Sequence, residues 1–232
     1  MVAENGSSSY VGFETEVRAT DDDRKGSYSF IIIAICCLIG DSARGLMMPT
    51  LWPFVSSMGG NLIWQGFIVA SFSLGRVISS PLFGILADMY GYRWVLIGCN
   101  GIIMLGALLY TQSSTLEALF VSQFVIGIGT GTLGVTRSYV AENSTKQNRT
   151  EQMALLTAMQ YAGFTVTPLL GSLLAYIGSI YDLEIGFIII SEYSIAAYVL
   201  AFFALILALS LVYIFSEQPR KSFVTENTVI FL

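Results

Sequence analysis

Residues 84–93 read GILADMYGYR and lie at the junction of two long apolar stretches, 62–86 and 94–110. The two glycines allow neighbouring backbones to approach closely, and Asp88 and Arg93 add opposite charges a few residues apart. Charges at the end of an apolar helix belong at the membrane surface, because headgroups and water solvate them there. The stretch therefore predicts a tight connection between two antiparallel membrane helices, with opposite charges at one membrane surface.

The composition of the whole chain agrees with a membrane location. Of its 232 residues, 54% are hydrophobic and 12% charged, and the mean hydropathy is +0.69. A helix needs about 20 residues to cross about 30 Å of hydrocarbon, and six apolar stretches approach or exceed that length. We therefore predict an all-α membrane protein with six transmembrane helices, the first opening near residue 27 and the others covering 62–86, 94–110, 116–139, 152–177 and 193–215.

Three regions follow from this pattern. Residues 1–26 are rich in serine, glycine and charge, which predicts a disordered, acidic cytoplasmic tail. Residues 27–215 form the predicted six-helix bundle, and residues 216–232 form a second cytoplasmic tail. The predicted layout has no seventh span, so we expect that the chain is truncated or that two copies meet.

The distribution of lysine and arginine predicts the orientation, because short cytoplasmic loops carry the excess of these residues. Eight bases lie on one side of the predicted membrane, whereas the segments 57–61, 111–115 and 178–192 on the other side carry none. Both termini are therefore expected in the cytoplasm. The bases are Arg18, Arg24, Lys25, Arg93, Lys146, Arg149, Arg220 and Lys221.

An internal repeat relates the second and fifth spans. At an offset of 87 residues, 81–91 (PLFGILADMYG) and 168–178 (PLLGSLLAYIG) agree at five of eleven positions. Three helices separate the two segments, so they cross the bilayer in opposite senses, as in the inverted repeats of secondary transporters. Coincidence between two apolar helices punctuated by proline and glycine is the alternative.

Three charged residues lie inside the predicted spans: Asp41, Arg44 and Arg76. Each costs about 2.5–3.5 kcal/mol near the bilayer centre, so they need partners or water. Asp41 and Arg44 are three residues apart on one helix face and are able to pair. One carboxylate against two guanidinium groups leaves a net positive site, which favours an anionic or carboxylate-bearing substrate. An ion-paired polar knot that locks two helices together is the alternative.

Proline and glycine mark further positions in the spans. The interruption 40–45 (GDSARG), followed by Pro49 and Pro53, predicts a kinked or broken first helix. Residues 129–134 (GTGTLG) fit a nucleotide-loop pattern, but they lie in an apolar span with no strand before them. We instead interpret Gly127 and Gly131, which are four residues apart, as a close helix contact.

Several function classes are excluded or disfavoured. The absence of histidine removes Ser-His-Asp catalysis and His-ligated zinc, and all three cysteines lie in apolar runs. No nucleophile and base occur at catalytic spacing, so we do not expect an enzyme, and we predict no cofactor or metal. Without a basic field, no nucleic-acid partner is expected either. The expected partners are the lipid bilayer and a small-molecule or ion substrate.

Residues 84–93 resemble the G-x-x-x-D-x-x-G-x-R signature between helices two and three of the major facilitator superfamily, and 137–142 (RSYVAE) resemble the cytoplasmic exit of helix four in that superfamily. The resemblance implies one half of a major facilitator fold, a 3+3 inverted repeat. It also implies a cytoplasmic gate of Gly84, Asp88, Gly91, Arg93 and Glu142, with a substrate or ion pathway of Asp41, Arg44, Arg76 and Gln123.

Two details qualify what the resemblance implies. Proton-coupled members often have an arginine in helix four where this chain has Gln123, so proton coupling at that position is not implied. Gly163, Pro168 and Gly171 partly match the antiporter motif of helix five, and we interpret Pro168 and Gly171 as a bend and packing device.

Four shorter runs are similar to the lysosomal major-facilitator proteins of the neuronal ceroid lipofuscinosis type. They are 51–53 (LWP), 70–75 (ASFSLG), 80–84 (SPLFG) and 137–139 (RSY). This similarity implies an endolysosomal or vacuolar transporter of chloride or another small anion, with a twelve-helix fold.

Two functions remain open from the sequence. The first is a secondary transporter of a small, anionic solute that works by alternating access, with the carboxy-terminal half missing or replaced by a second copy. The second is a six-helix membrane interaction or accessory module without transport activity. A reading frame downstream of Leu232 that encodes six more spans would favour the first; a stop codon there would require a homodimer for transport.

Overall fold

The computed structural model describes residues 5–144, 147–180, 183–185, 188–190 and 193–213, with side chains described within 30–144, 147–180 and 193–213. In these residues, seven helices and a small antiparallel hairpin are present. They are α1 (Asn5–Ser57), α2 (Leu62–Tyr90), α3 (Tyr92–Thr111), α4 (Leu116–Gly129), α5 (Leu133–Asn143), α6 (Arg149–Ile180), β1 (Leu183–Ile185), β2 (Ile188–Ile190) and α7 (Ile195–Tyr213).

The prediction of six membrane-length helices is confirmed. Six segments of the described chain are long and apolar enough to cross a bilayer, and α4 and α5 together form the fourth of them. They are Phe30–Ser57, Leu62–Tyr90, Tyr92–Thr111, Leu116–Asn143, Arg149–Ile180 and Ile195–Tyr213. The hairpin, in which Glu184 pairs with Ile189, lies in the connection before the last span.

The amino-terminal region differs from its expectation. The backbone of α1 is helical from Asn5, where the sequence predicts a disordered tail over residues 1–26. A helix that is already formed in an apolar span gains one hydrogen bond for each residue that it adds, whereas a new helix must first nucleate. Residues 216–232 lie outside the described part, and the tail and bundle assignments stay predictions.

The expected break in the first helix is also absent. Helix α1 continues through residues 40–45 and includes Pro49 and Pro53. Gly45 instead serves close packing, because a Cβ atom there would lie 2.1 Å from Thr167 Oγ1 on α6. The interruption occurs in the fourth span, where α4 ends at Gly129 and α5 begins at Leu133.

The helices pair in a pattern that has the symmetry of a 3+3 repeat. The most extensive contacts join α1 to α6, α2 to α4 and α3 to α7, which are spans one and five, two and four, and three and six. An exchange of the two halves replaces spans one, two and three by four, five and six, and the reverse. It converts the pair one–five into four–two and leaves the pair three–six unchanged. The prediction of an inverted repeat in a half-transporter fold is therefore confirmed.

Two apolar clusters fill the bundle, one toward each membrane surface. The first includes Cys37, Leu96, Val135 and Leu211, and the second includes Ala43, Phe72, Ile103, Ile126 and Leu200. On α1, α2 and α3, the residues between the two clusters include Asp41, Arg76 and Asn100. On the fourth span, the helix break at 130–132 lies there. The bundle thus has a polar layer at mid-depth.

Candidate functional site

An ion pair between α1 and α2 lies in the polar layer. Arg76 Nη1 donates a hydrogen bond to Asp41 Oδ1 at 2.6 Å. The side chains retain only 16% and 8% of their accessible surface, respectively. Arg76 lies halfway along α2, so its charge is far from either helix end. Pairing lowers the large cost of burying each charge, which explains why both residues are held at this depth.

The ion pair leaves hydrogen-bonding capacity unused. Asp41 Oδ2 and Arg76 Nε are buried, and neither has a hydrogen-bond partner in the described structure. An arginine and a carboxylate can form two parallel hydrogen bonds, but Arg76 and Asp41 form only one, between Nη1 and Oδ1. Both atoms are enclosed in this structure, so a solute, ion or water molecule would reach them only if the surrounding helices moved apart.

Arg44 lies near the pair but makes a different contact. The sequence allowed Asp41 and Arg44 to pair along one helix; the structure pairs Asp41 with Arg76 instead. The guanidinium carbon of Arg44 lies 5.7 Å from the ring centroid of Phe72, and Arg44 Nε is buried without a hydrogen-bond partner. Within the part of the chain that the structure describes, Arg44 has no carboxylate within 4.0 Å. One positive charge in the site is uncompensated.

Gln123 on α4 borders the same small cavity as Arg44. Its side chain is 6% exposed, and its Nε2 donates to Met47 Sδ at 3.4 Å. A thioether sulfur is a weak acceptor, so this amide group is available to a stronger one. Sequence reasoning identified Gln123 but missed Met47 and Phe72. Their spacing was the available signal, since Met47 follows Arg44 by three residues and Phe72 precedes Arg76 by four.

A small cavity borders Arg44 and Gln123. Its apolar wall consists of Met47, Met48, Leu51, Val69 and Phe72. The empty space is about 260 Å³ when the open mouth is included, but the centre of a water molecule could move within only about 20 Å³ of it. That volume is close to what one water molecule needs, so the site is narrow in this structure.

Glycines bring the helices that carry these side chains into close contact. A Cβ atom on Gly127 would lie 2.2 Å from the carbonyl oxygen of Phe72, and one on Gly131 would lie 2.1 Å from Ser79 Oγ. On α6, a Cβ atom on Gly171 would lie 2.2 Å from the carbonyl oxygen of Leu46. The contacts of Gly127 and Gly171 are with the backbone of a neighbouring helix, and that of Gly131 is with a side chain of α2. Pro168 lies inside α6, which continues through it.

The five residues that the resemblance assigns to a cytoplasmic gate lie at the α2–α3 connection and the end of α5. Gly91 has a φ of +91°, a left-handed conformation that favours glycine, and it links α2 directly to α3. Asp88 and Glu142 are exposed, and Gly84 has nothing within 4 Å of an added Cβ atom.

Arg93 makes a contact that the sequence does not predict. It donates a hydrogen bond to the carbonyl oxygen of Val212, in the last turn of α7. Arg149 similarly donates to the carbonyl oxygen of Ala141, near the end of α5. The last carbonyls of a helix lack partners within it, and a positive charge there is favourable. Both arginines therefore cap the carboxyl ends of helices on the same side of the bundle.

Residues 31–229 match the family model of the Major Facilitator Superfamily. The chain belongs to this superfamily. The members of the superfamily are membrane transporters and not enzymes, which favours the expectation that the chain is not an enzyme.

Two relatives with assigned names illustrate the match. The chain is 27% identical to major facilitator superfamily domain-containing protein 8 of Xenopus laevis over 158 residues, which are 65% of the chain and 31% of that protein. It is 28% identical to the class H tetracycline resistance protein of Pasteurella multocida over 203 residues, which are 86% of the chain and 48% of that protein. The chain thus spans half or less of the length of these relatives.

A solved structure shows the same fold. A bacterial homolog of the human lysosomal transporter Spinster, in an inward-facing and unoccupied conformation, superposes with a TM-score of 0.74 at 14% identity. The superposition covers 84% of this chain and 44% of the homolog. The described bundle therefore has the architecture of about half of a superfamily transporter.

Proposed function

We propose that this chain is one half of a secondary transporter that moves a small, anionic solute across a membrane by alternating access. The observation that carries the proposal is the mid-depth site, where the Asp41–Arg76 pair lies near an arginine without a carboxylate partner. Arg44 is partly buried, and a cation without a carboxylate partner in such a site attracts an anion more strongly than one in water, because the local dielectric is lower.

Family membership supports the transport part of the proposal, and the placement of the site on α1, α2 and α4 supports the solute pathway. Asp41, Arg44, Arg76 and Gln123 would contact the solute or a coupled ion. Gly84, Asp88, Gly91, Arg93 and Glu142 would form the gate on the cytoplasmic side. Arg93, which donates to the carbonyl oxygen of Val212 in this structure, would hold the end of α7 beside this gate.

The partner of this half would be a carboxy-terminal half or a second copy of the chain. Helices α2 and α6 are the least buried of the six spans, and both present exposed apolar side chains. These are the surfaces that a second bundle or lipid would cover. The competing function is an accessory module without transport.

Counterflow tests the proposed transport directly. We expect vesicles that contain the full-length protein and are preloaded with an unlabelled anion to accumulate the same labelled anion from outside. Exchange should occur with at least one member of a panel of inorganic and organic anions, and vesicles without protein should show none. Absence of exchange across the whole panel, with correctly inserted protein, would favour the accessory module.

A second prediction concerns topology. We propose that the bundle lies in an endolysosomal or vacuolar membrane and that both termini of the chain lie on its cytoplasmic side. A tag on the amino-terminal tail and a tag in the loop that contains Lys146 should both be reached by membrane-impermeant reagents from the cytosol only. A tag at residues 182–184 should be reached only from the opposite side. Labelling of that third tag from the cytosol would overturn the layout, and imaging of the intact tagged chain would test the compartment.

A further inference from the structure

The two arginines of the mid-depth site are not equivalent. Arg76 already has a carboxylate, Asp41, at 2.6 Å, so together they are nearly neutral. Arg44 contacts the face of Phe72 instead and has no carboxylate within 4.0 Å in the described residues. An aromatic ring compensates a guanidinium charge only in part. The group that lacks a counter-ion is therefore Arg44.

The cavity beside Arg44 has a polar part and an apolar part. Arg44 and the amide of Gln123 provide the polar groups of the cavity. The other residues around the cavity, including Met47, Met48 and Phe72, are apolar. A fully hydrated inorganic ion would gain few contacts from such a wall and would lose its hydration there. An anion with an apolar body would fit both parts.

We propose that Arg44 binds the anionic group of the substrate, and that the substrate is a small organic monoanion such as a monocarboxylate. This inference rests on the proposed anion site and specifies its ligand. The carboxylate would accept hydrogen bonds from the Arg44 guanidinium and from Gln123 Nε2, which now donates only to a weak sulfur acceptor. The apolar body would lie against Met47, Met48 and Phe72.

The cavity is narrow in this structure, so the wall must yield when a ligand enters. Two of its side chains are methionines, which are unbranched and change shape readily. The bound anion would also relieve the uncompensated charge on Arg44. Ligand entry and partial separation of α1 from α4 would therefore favour each other. Because separation removes apolar contacts between the two helices, the site would select a ligand whose apolar part replaces those contacts.

Binding of radiolabelled benzoate tests the inference without requiring transport. The intact chain is held in lipid nanodiscs, and empty nanodiscs give the background. We expect saturable benzoate binding that unlabelled butyrate displaces and that the neutral isostere benzamide does not. Chloride at the same concentration should displace little. Equal displacement by chloride and butyrate would overturn the organic part of the inference, and displacement by benzamide would overturn the role of charge.

Variants assign the binding to one arginine. Arg44→Gln should weaken benzoate binding by about tenfold or more, whereas Arg137→Gln, which removes the same charge from an exposed position on α5, should stay within about twofold. Arg44→Lys keeps the charge but loses the planar fork, and it should fall between these results. If Arg44→Gln does not fold, Arg44→Lys replaces it. Wild-type affinity in whichever variant folds would overturn the proposal.

The outcomes separate this inference from the proposed transport. Benzoate binding that depends on Arg44, without counterflow, would leave the inference standing and remove the transport function. If anions exchange at the same rate in the wild type and in Arg44→Gln, the transport function stands and the inference about Arg44 is wrong.

Discussion

Replacing Arg76 by glutamine should reduce uptake of the counterflow substrate at least about a hundredfold, which corresponds to a loss of about 2.7 kcal/mol in transition-state stabilisation. The variant should still insert into the membrane. It leaves Asp41 buried without its partner, and an unpaired buried charge costs about 3–5 kcal/mol when one member of a pair is removed. The free carboxylate would also oppose the positive charge that we assign to the anion site. The measurement is initial uptake per inserted protein.

The double variant Asp41→Asn, Arg76→Gln separates transport from stability. It has no unpaired charge at this position, so its thermal unfolding temperature should return toward that of the wild type. Uptake should remain low, because the guanidinium and the carboxylate that we assign to the solute pathway are both lost. Recovery of uptake in the double variant would make the ion pair a structural link between α1 and α2, which is the alternative that the sequence left open.

Much of the fold follows from the sequence because the bilayer imposes a length and a polarity on each segment. The six apolar stretches had to be membrane helices, and their ends agree with the structure to within a few residues for most spans. Burial cost also explains why Asp41 could be expected to pair with an arginine: charges that deep need a partner, and Asp41, Arg44 and Arg76 are the charged residues deep inside the predicted spans.

The choice of partner could not be predicted, because it depends on how the helices are rotated. Spacing alone allowed Asp41 to pair with Arg44, but only tertiary packing places the Arg76 side chain against Asp41 and the Phe72 ring against Arg44. The same limit applies to the helix breaks. Glycine and proline at 40–53 suggested a kink or a break in α1, yet that helix is continuous, and the break lies at 130–132 instead.

The second large effect is expected at Gly127, where the α2–α4 contact is closest. Gly127→Ala should lower the free energy of unfolding by about 3 kcal/mol, at the upper end of the cost of overpacking. The added methyl group would lie 2.2 Å from the carbonyl oxygen of Phe72 and 2.9 Å from its Cα atom. These are backbone atoms, so the new group can be accommodated only if the two helices separate. Because α2 carries both Arg76 and Phe72, that separation would also displace the site.

Gly98→Ala is the matched control, because it makes the same change in another membrane helix. Gly98 lies in α3, and nothing is within 4 Å of an added Cβ atom. Alanine has a higher helix propensity than glycine by about 1 kcal/mol, so this variant should be as stable as the wild type or slightly more stable. Unfolding in graded denaturing detergent measures both variants on one scale. Equal stability of Gly127→Ala and Gly98→Ala would mean that α2 and α4 are not held in backbone contact at this point. The mid-depth geometry of Arg76 and Phe72 would then lose the support on which the anion site depends.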